Sequence, residues 1–310
     1  MTPRVAVAGV VNVGVSCLVP EFPVPLISSR RLPGGLHFRI AGSGHTVARV
    51  AARLGADVAF ATYVGADVLG SVAVQCLREQ GLYGPGAQVC AEQPRAVVLF
   101  DAAGTRSGTS DLRDTPRLSY PADVFGSLLG DDCDIAVLSN IGFTRSLIPV
   151  TADRGVPIIT DAHIVDSVDS PHNRDWMAAA HVVACSHEGL PLGPVNWVED
   201  MWRVHRTPVV VVGCGADGAV IGVRDRRRIW QVPATTPRGV RYQSGAGDTL
   251  VGSFAYHYAT SGDAVTALRN AVLSAGWAVG GAPEVDRAPS ALVQEELVTS
   301  FGLPAARRLR

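Results

Sequence analysis

The run Ser244-Gly245-Ala246-Gly247-Asp248-Thr249 places an acid beside glycines at what reads as the start of a helix. Leu250, Val251, Phe254 and Tyr258 recur at helical spacing, and Ser261-Gly262 supplies a stop, so the spacing predicts a helix to about Thr260. Glycines without a Cβ let a ligand approach the backbone, and the free N–H groups of a helix start attract anions. An Asp in such a nest would repel a phosphate unless its charge has a task. One task is to accept a proton from a hydroxyl attacking phosphorus while the N–H groups cradle the developing charge. The other reading is that Asp248 simply caps the helix, as Asp often does.

An absence narrows the chemistry. The sequence contains no lysine, so all 27 basic residues are arginine. That excludes a Walker lysine, a Schiff-base lysine, a Ser-x-x-Lys hydrolase and the strand lysine of protein kinases. Phosphate handling must then rest on backbone amides, arginine and metal. No Gly-x-Ser-x-Gly elbow is present, and His45, His163, His187 and His205 share no zinc spacing. Cys17, Cys76, Cys90, Cys133, Cys185 and Cys214 form no CxxC pair; they read as reduced thiols of a cytoplasmic protein.

The elements that would position Asp248 can be read from the rest of the chain. Its 310 residues are 47% hydrophobic and 18% charged, enough for one large α/β domain. A formal net charge of -1 gives no general attraction to nucleic acid or to anionic membrane. Arg224–Arg228 reads as a solvated hairpin tip, and Arg307, Arg308 and Arg310 as a frayed tail. The apolar run Val5–Val19 is broken by Gly9, Asn12 and Gly14, so it reads as a buried first strand, Val5–Gly9, rather than a signal peptide. No run reaches the ~20 apolar residues of a membrane span.

Residues 20–41 are cut by prolines into short stretches, Leu26-Ile27-Ser28 and Leu36–Ile40, that suggest small strands outside the main sheet. Gly42-Ser43-Gly44-His45-Thr46 then opens an alanine-rich helix to Leu54; it imitates a dinucleotide fingerprint only loosely, without a long buried strand before it. Strands at Val58–Val64, Ile135–Ser139, Pro157–Asp161, His181–Ala184 and Pro208–Val212 alternate with helical stretches such as Leu69–Gln80, and hairpins read at Arg95–Asp111 and Ala219–Trp230. This alternation implies a mostly parallel sheet covered on both faces.

Ser244–Phe254 resembles the C-terminal signature of the ribokinase (PfkB) family of carbohydrate kinases, and Gly42–Gly55 resembles its N-terminal glycine-rich signature. Gly9-Val10-Val11-Asn12, Gly65-Ala66-Asp67-Val68-Leu69-Gly70, Gly213-Cys214-Gly215-Ala216-Asp217-Gly218 and Gly281-Ala282 match further family positions in order, over nearly the whole chain. The resemblance implies one α/β domain, residues 1–310, with a doubly wound sheet and a small β-sheet lid built from about 12–41 and 95–118. It implies ATP and Mg²⁺ as cofactors, and a sugar or nucleoside as substrate. Asp248 would be the base, with the amides of Ala246, Gly247 and Asp248, after Gly245, as anion hole. The nucleotide would lie across Gly213, Gly215, Ala216, Gly218, Gly281 and Ala282, and Glu188 would organise magnesium. A homodimer through the lid strands also follows as an expectation. A non-catalytic nucleotide- or sugar-binding descendant of the fold is the alternative, since fold alone does not establish activity.

Departures from the family pattern point at the acceptor. Tyr242-Gln243-Ser244 stands where an Asp-Thr pair helps hold a monovalent cation, which predicts little potassium stimulation. Cys185-Ser186-His187-Glu188 retains only the glutamate of the magnesium motif. Gly14 stands where an Asp would grip sugar hydroxyls, and Thr46 where an Asn would. Acceptor binding would then depend on Asn12, Gly42, Ser43, Gly44, Thr46, Arg106, Asp111 and Asp248, with Val97 and Leu99 covering a nucleobase. The lid stretch Ala96–Asp101 to Ser110–Leu112 is similar to that of pseudouridine kinases. These features predict a nucleoside or otherwise substituted sugar over free ribose.

Overall fold

The computed structural model describes residues 2–283 and 285–310. Valine-rich runs set the strands, because β-branched side chains fit a pleated, buried surface. In chain order these are β1 (Arg4–Ala8), β2 (Asn12–Leu18), β3 (Leu36–Ala41), β4 (Asp57–Gly65), β5 (Ala87–Cys90), β6 (Arg95–Phe100) and β7 (Arg106–Asp111). They continue as β8 (Ile135–Leu138), β9 (Ile158–Ile164), β10 (Val182–Ser186), β11 (Val209–Gly213), β12 (Ala219–Val223), β13 (Arg228–Val232) and β14 (Arg307–Arg308).

Ten of these form one sheet in the order β14-β13-β12-β11-β10-β9-β8-β1-β4-β5. From β5 to β11 the strands run parallel, and β12 to β14 add an antiparallel edge. Alternation along each strand divides the core into two layers. Ala6, Ala8, Leu138, Val183 and Val212 face a layer holding Phe125, Trp176 and Trp197. Val5, Val7, Val137, Val182 and Val211 face the opposite layer, with Val251, Phe254 and Leu268. This is the doubly wound fold that the strand–helix alternation predicts. Next to β1 the strand order reverses direction, and in such sheets ligands bind beyond the carboxyl ends of the strands at that point.

A second sheet, ordered β3-β2-β6-β7, stands over those ends. Its alternation decides which side chains can reach a ligand. Ser16, Arg39 and Phe100 all meet Tyr242, so they share the face turned toward the main sheet. The opposite face exposes Leu36, Val97 and Phe38, the last with 74% of its surface accessible.

Four expectations change. Residues 19–35 contain no strand, and Leu26 is fully exposed. Val97 is turned outward, and Leu99, two residues on, shares its face; neither can cover a nucleobase in the pocket, and Ala96, Val98 and Phe100 take the inner face instead. Asp111 pairs across β6 with Arg95, on that outward face, and its carboxylate contacts Arg113 at 3.0 Å rather than pointing toward Asp248. The arginine-rich C-terminus is not frayed: Arg307 and Arg308 pair with Gln231 and Trp230, and Arg310 forms an ion pair with Glu199.

Candidate active site

The helix Ala246–Ser261 starts from Gly245, whose φ of 85° is left-handed and suits glycine. The N–H of Ala246 is taken by the Gln243 carbonyl at 3.2 Å, so it leaves the anion nest that the sequence suggested. Among the described residues, the N–H groups of Gly247 and Asp248 have no protein acceptor, whereas Thr249 already bonds Gly245. A Cβ built on Gly247 would meet nothing within 4 Å, so this face of the first turn opens onto space. Two unpaired donors at an open helix start form a ready cradle for an anion.

Asp248 makes no capping hydrogen bond in this turn; no side chain caps the helix. Burial raises its carboxyl above the usual range, opposed first by the charge of His163 and further by Arg39 and Arg106, while Asp161 reinforces the rise. A carboxylate held partly desolvated and not used as a cap is suited to take a proton.

The strand β9 brings two residues to Asp248 that the sequence did not single out. Asp161, His163 and Asp248 place their ligating atoms within 4.8 Å of one another. His163 Nδ1 lies 3.2 Å from the Asp161 carboxylate, and its backbone takes a left-handed φ of 56°, uncommon for a residue with a Cβ. The Asp161 charge lifts His163 to about 9 against a burial cost. Asp161 and His163 form an ion pair that faces Asp248. The only sequence signal was the Asp-x-His spacing at a strand end, which matches no standard ligand pattern.

Of the residues expected to hold a nucleotide and its metal, Glu188 follows β10, and Gly213, Gly215, Ala216 and Gly218 lie at and beyond the end of β11. His187 bonds the Gly213 carbonyl at 3.0 Å and touches the site of Gly215, tying the Glu188 turn to the Gly213–Gly218 turn. Glu188 lines a cavity of about 350 Å³ together with Gly104, Thr105, Arg106, Gly108 and Gln243. Ala216 lies within this exposed turn, and Gly218 has no room for a side chain beside the Val232 carbonyl. An arginine and a carboxylate line this one cleft, and Glu188 is the oxygen ligand it offers to a hard divalent cation. Gly281 is packed by Arg287 and Arg238, with Ala282 beyond it.

Arg287 braces the loop before the helix. Its guanidinium donates to the carbonyls of Tyr242 at 3.0 Å and Ser244 at 2.6 Å and lies over the Tyr242 ring. Burial, then the charge of Arg39, pulls it down to about 10. A fixed cation thus sits on the carbonyls of Tyr242–Ser244, the segment whose departure from the cation-holding pair predicts little potassium stimulation.

The glycine-rich start, expected to bind the acceptor, makes packing contacts. Gly44 lies against Gly9, where a Cβ would come within 2.4 Å of backbone, and this contact sets the helix Ser43–Leu54 on the end of β1. Gly42 packs on the Val10 carbonyl, Ser43 reaches Ser139 at 3.4 Å, and the Thr46 methyl lies 4.0 Å from the Cβ position of Gly245. Asn12 is buried and its Oδ1 has no partner among the described residues. Asp67, in the Gly-x-Asp-x-x-Gly run, caps the helix Val68–Glu79 through the Gly70 N–H and has a structural task.

An open parallel sheet, a small sheet over its carboxyl edge and an acid in an unpaired helix start together define the ribokinase-like class. The model of the pfkB family carbohydrate kinases matches residues 3–108 and 196–282, more than half of the chain, and the chain belongs to that family. The bifunctional protein HldE of Mesorhizobium japonicum is 26% identical over 314 residues, covering 93% of this chain and 58% of that protein. The chain thus spans little more than half the length of the curated relatives it matches. The microbiome-derived acarbose kinase Mak1 superposes with a TM-score of 0.87 at 23% identity, over 96% of this chain and 100% of the other. A nucleoside kinase of Burkholderia thailandensis, solved with inosine, gives 0.77 at 19% identity, over 97% and 100%. At these identities the two structures establish the fold. No helix among the described residues is long and apolar enough to cross a membrane.

Proposed function

We propose that the chain transfers the γ-phosphoryl group of ATP to a hydroxyl or hydroxymethyl group of a sugar or nucleoside, with Asp248 as general base. The observation that carries this reading is the carboxylate of Asp248, free of any capping bond, beside the unpaired N–H groups of Gly247 and Asp248. The acceptor O–H gives its proton to Asp248 as its oxygen bonds to the γ-phosphorus. The bond from that phosphorus to the bridging oxygen breaks, and ADP leaves with the electron pair. The two N–H groups stabilise charge on the phosphoryl oxygens, and the protonated His163 keeps a positive charge near Asp248. Arg106 and the Gly213–Gly218 turn hold the nucleotide phosphates. Magnesium, held through Glu188, would supply charge neutralisation between them. The whole chain works as one catalytic unit in this reading, with the small sheet as lid. The outward face of Leu36, Phe38 and Val97 would suit a second copy of the chain.

The test is Asp248→Asn. Turnover should fall by roughly 10²–10⁴ while the ATP-induced rise in melting temperature persists. Near-normal turnover in that variant would remove Asp248 from the role of base.

A further inference from the structure

The two residues that depart from the family pattern just before the helix Ala246–Ser261 are also the ones the lid rests on. We propose that Tyr242 is a positioning residue: its hydroxyl fixes the lid at a set distance above the Gly245–Asp248 turn and so determines how an acceptor lies against Asp248. This rests on the kinase reading above.

Tyr242 lies in a connecting segment, outside any strand or helix, yet only 1% of its surface is exposed. Three of the four lid strands meet at this side chain. Its hydroxyl shares a hydrogen bond of 2.8 Å with Ser16 Oγ of β2, and Ser16 is buried as deeply. Arg39 of β3 donates to the same hydroxyl at 3.1 Å, and Phe100 of β6 meets the ring edge-on, with 5.2 Å between centroids. The next residue reaches the remaining strand's end of the lid. A Cβ on Gly104, in the turn between β6 and β7, would lie 3.5 Å from Gln243 Nε2. Tyr242 and Gln243 are the pair that stands where the family pattern has an Asp-Thr pair, and both touch the lid.

The main chain of Tyr242 is tied to the floor of the site. Its N–H donates to the Val279 carbonyl at 3.0 Å, at the end of the helix Ala264–Val279. Its carbonyl accepts from Arg287, which also holds the Ser244 carbonyl, and Gly245 then turns the chain into the helix that carries Asp248. One residue therefore has its backbone on the part that bears Asp248 and its side chain on the lid. Packing alone would need only the ring, and ring contacts can slide. The buried hydroxyl is the part that sets a distance, because a hydrogen bond has a preferred length and direction. An acceptor lying between Asp248 and the inner face of the lid must fit the gap this bond maintains. Loosening the bond weakens acceptor binding and leaves the Gly213–Gly218 turn, which Tyr242 does not touch, as it is.

Hydrogen–deuterium exchange and steady-state kinetics of the full chain test this with Tyr242→Phe, which keeps the ring among its neighbours and removes only the hydroxyl. We expect the amides of β2 and β3 to exchange faster by about threefold to tenfold, the range one buried hydrogen bond accounts for, with β10 and β11 unchanged. With Mg-ATP and a panel of aldoses and nucleosides, the acceptor KM should rise by about the same threefold to tenfold, while kcat and the KM for ATP stay within about twofold. Ser16→Ala should behave alike, and the double variant should lose no more than either single one, since both substitutions break the same bond. Unchanged lid exchange in Tyr242→Phe would overturn the proposal. So would faster exchange with an unchanged acceptor KM, or a double variant whose losses multiply. If no acceptor of the panel yields ADP, the kinase reading fails instead, and exchange alone decides whether Tyr242 holds the lid: faster exchange in β2 and β3 supports it, and unchanged exchange overturns it.

Discussion

The two ends of the site are built from different materials. At the proposed phosphoryl end the main chain supplies the groups: a left-handed Gly245, an open Gly247 and two N–H groups unpaired among the described residues. At the proposed acceptor end side chains from separate strands converge: Asn12 and Ser16 from β2 and Arg39 from β3. A backbone cradle tolerates little change in local sequence, because Gly245 takes a left-handed φ and a side chain at Gly247 would enter the open space before the N–H groups. A side-chain pocket on a lid can be rewritten one residue at a time without disturbing the helix beneath it. The contrast assigns rate to one end and acceptor choice to the other.

Several substitutions would break or sharpen that division. The largest effect is expected from Gly247→Val. Its Cβ meets no protein atom, so the melting temperature should hold, but the side chain fills the anion cradle. Loss of one such donor contact costs about 10²–10³ in turnover, and a variant within twofold of wild type would show that phosphate does not bind there.

Arg287→Ala should come next, with a loss of about tenfold carried by kcat, since Arg287 acts by positioning the Tyr242–Ser244 carbonyls ahead of the helix. Added guanidinium or potassium should recover part of it. Equal losses with every cation present would reduce Arg287 to a packing role.

The ion pair at β9 gives a pH signature. His163 is raised from 6.5 to about 9, so its contribution to stability is complete below pH 6.5 and is lost as pH rises through 9. The wild-type melting temperature should therefore decline over that window relative to His163→Gln, and parallel curves would contradict the pairing. Asp248 is shifted upward from 3.8, so activity should fall on the acid side at a pH above that value as the base takes up a proton.

The smallest effect concerns potassium. With a guanidinium already on the carbonyls, replacing potassium by a bulky organic cation should change the rate by less than about twofold, well under the 1.4 kcal/mol of a tenfold effect. A larger loss would show a cation site elsewhere.

The same division explains what the sequence made legible. Periodicity located the parallel strands and the helix behind Asp248, because burial of a sheet on both faces leaves continuous valine runs such as Val209–Val212. The glycine spacing and the acid marked the open helix start at Gly245–Asp248 for the same local reason. Asp161 and His163 were invisible as a pair with Asp248 because a strand and a helix more than eighty residues apart must meet before their charges interact. Arg39 and Arg287 were hidden likewise: their partners, Tyr242 and Ser244, lie more than two hundred residues from one and some forty from the other. Asp111, Val97 and Leu99 failed on strand phase, since one residue of offset moves a side chain to the other face. The tail failed because β14 forms by pairing with a distant edge, which two arginines do not announce.

The central claim is transfer of a phosphoryl group to a hydroxyl. Phosphorus NMR of the chain with Mg-ATP and an acceptor tests it most directly. The account predicts a new phosphomonoester resonance that grows in step with ADP and fails to appear in Asp248→Asn. ADP accompanied only by inorganic phosphate, or the same phosphomonoester formed at wild-type rate without Asp248, would contradict it.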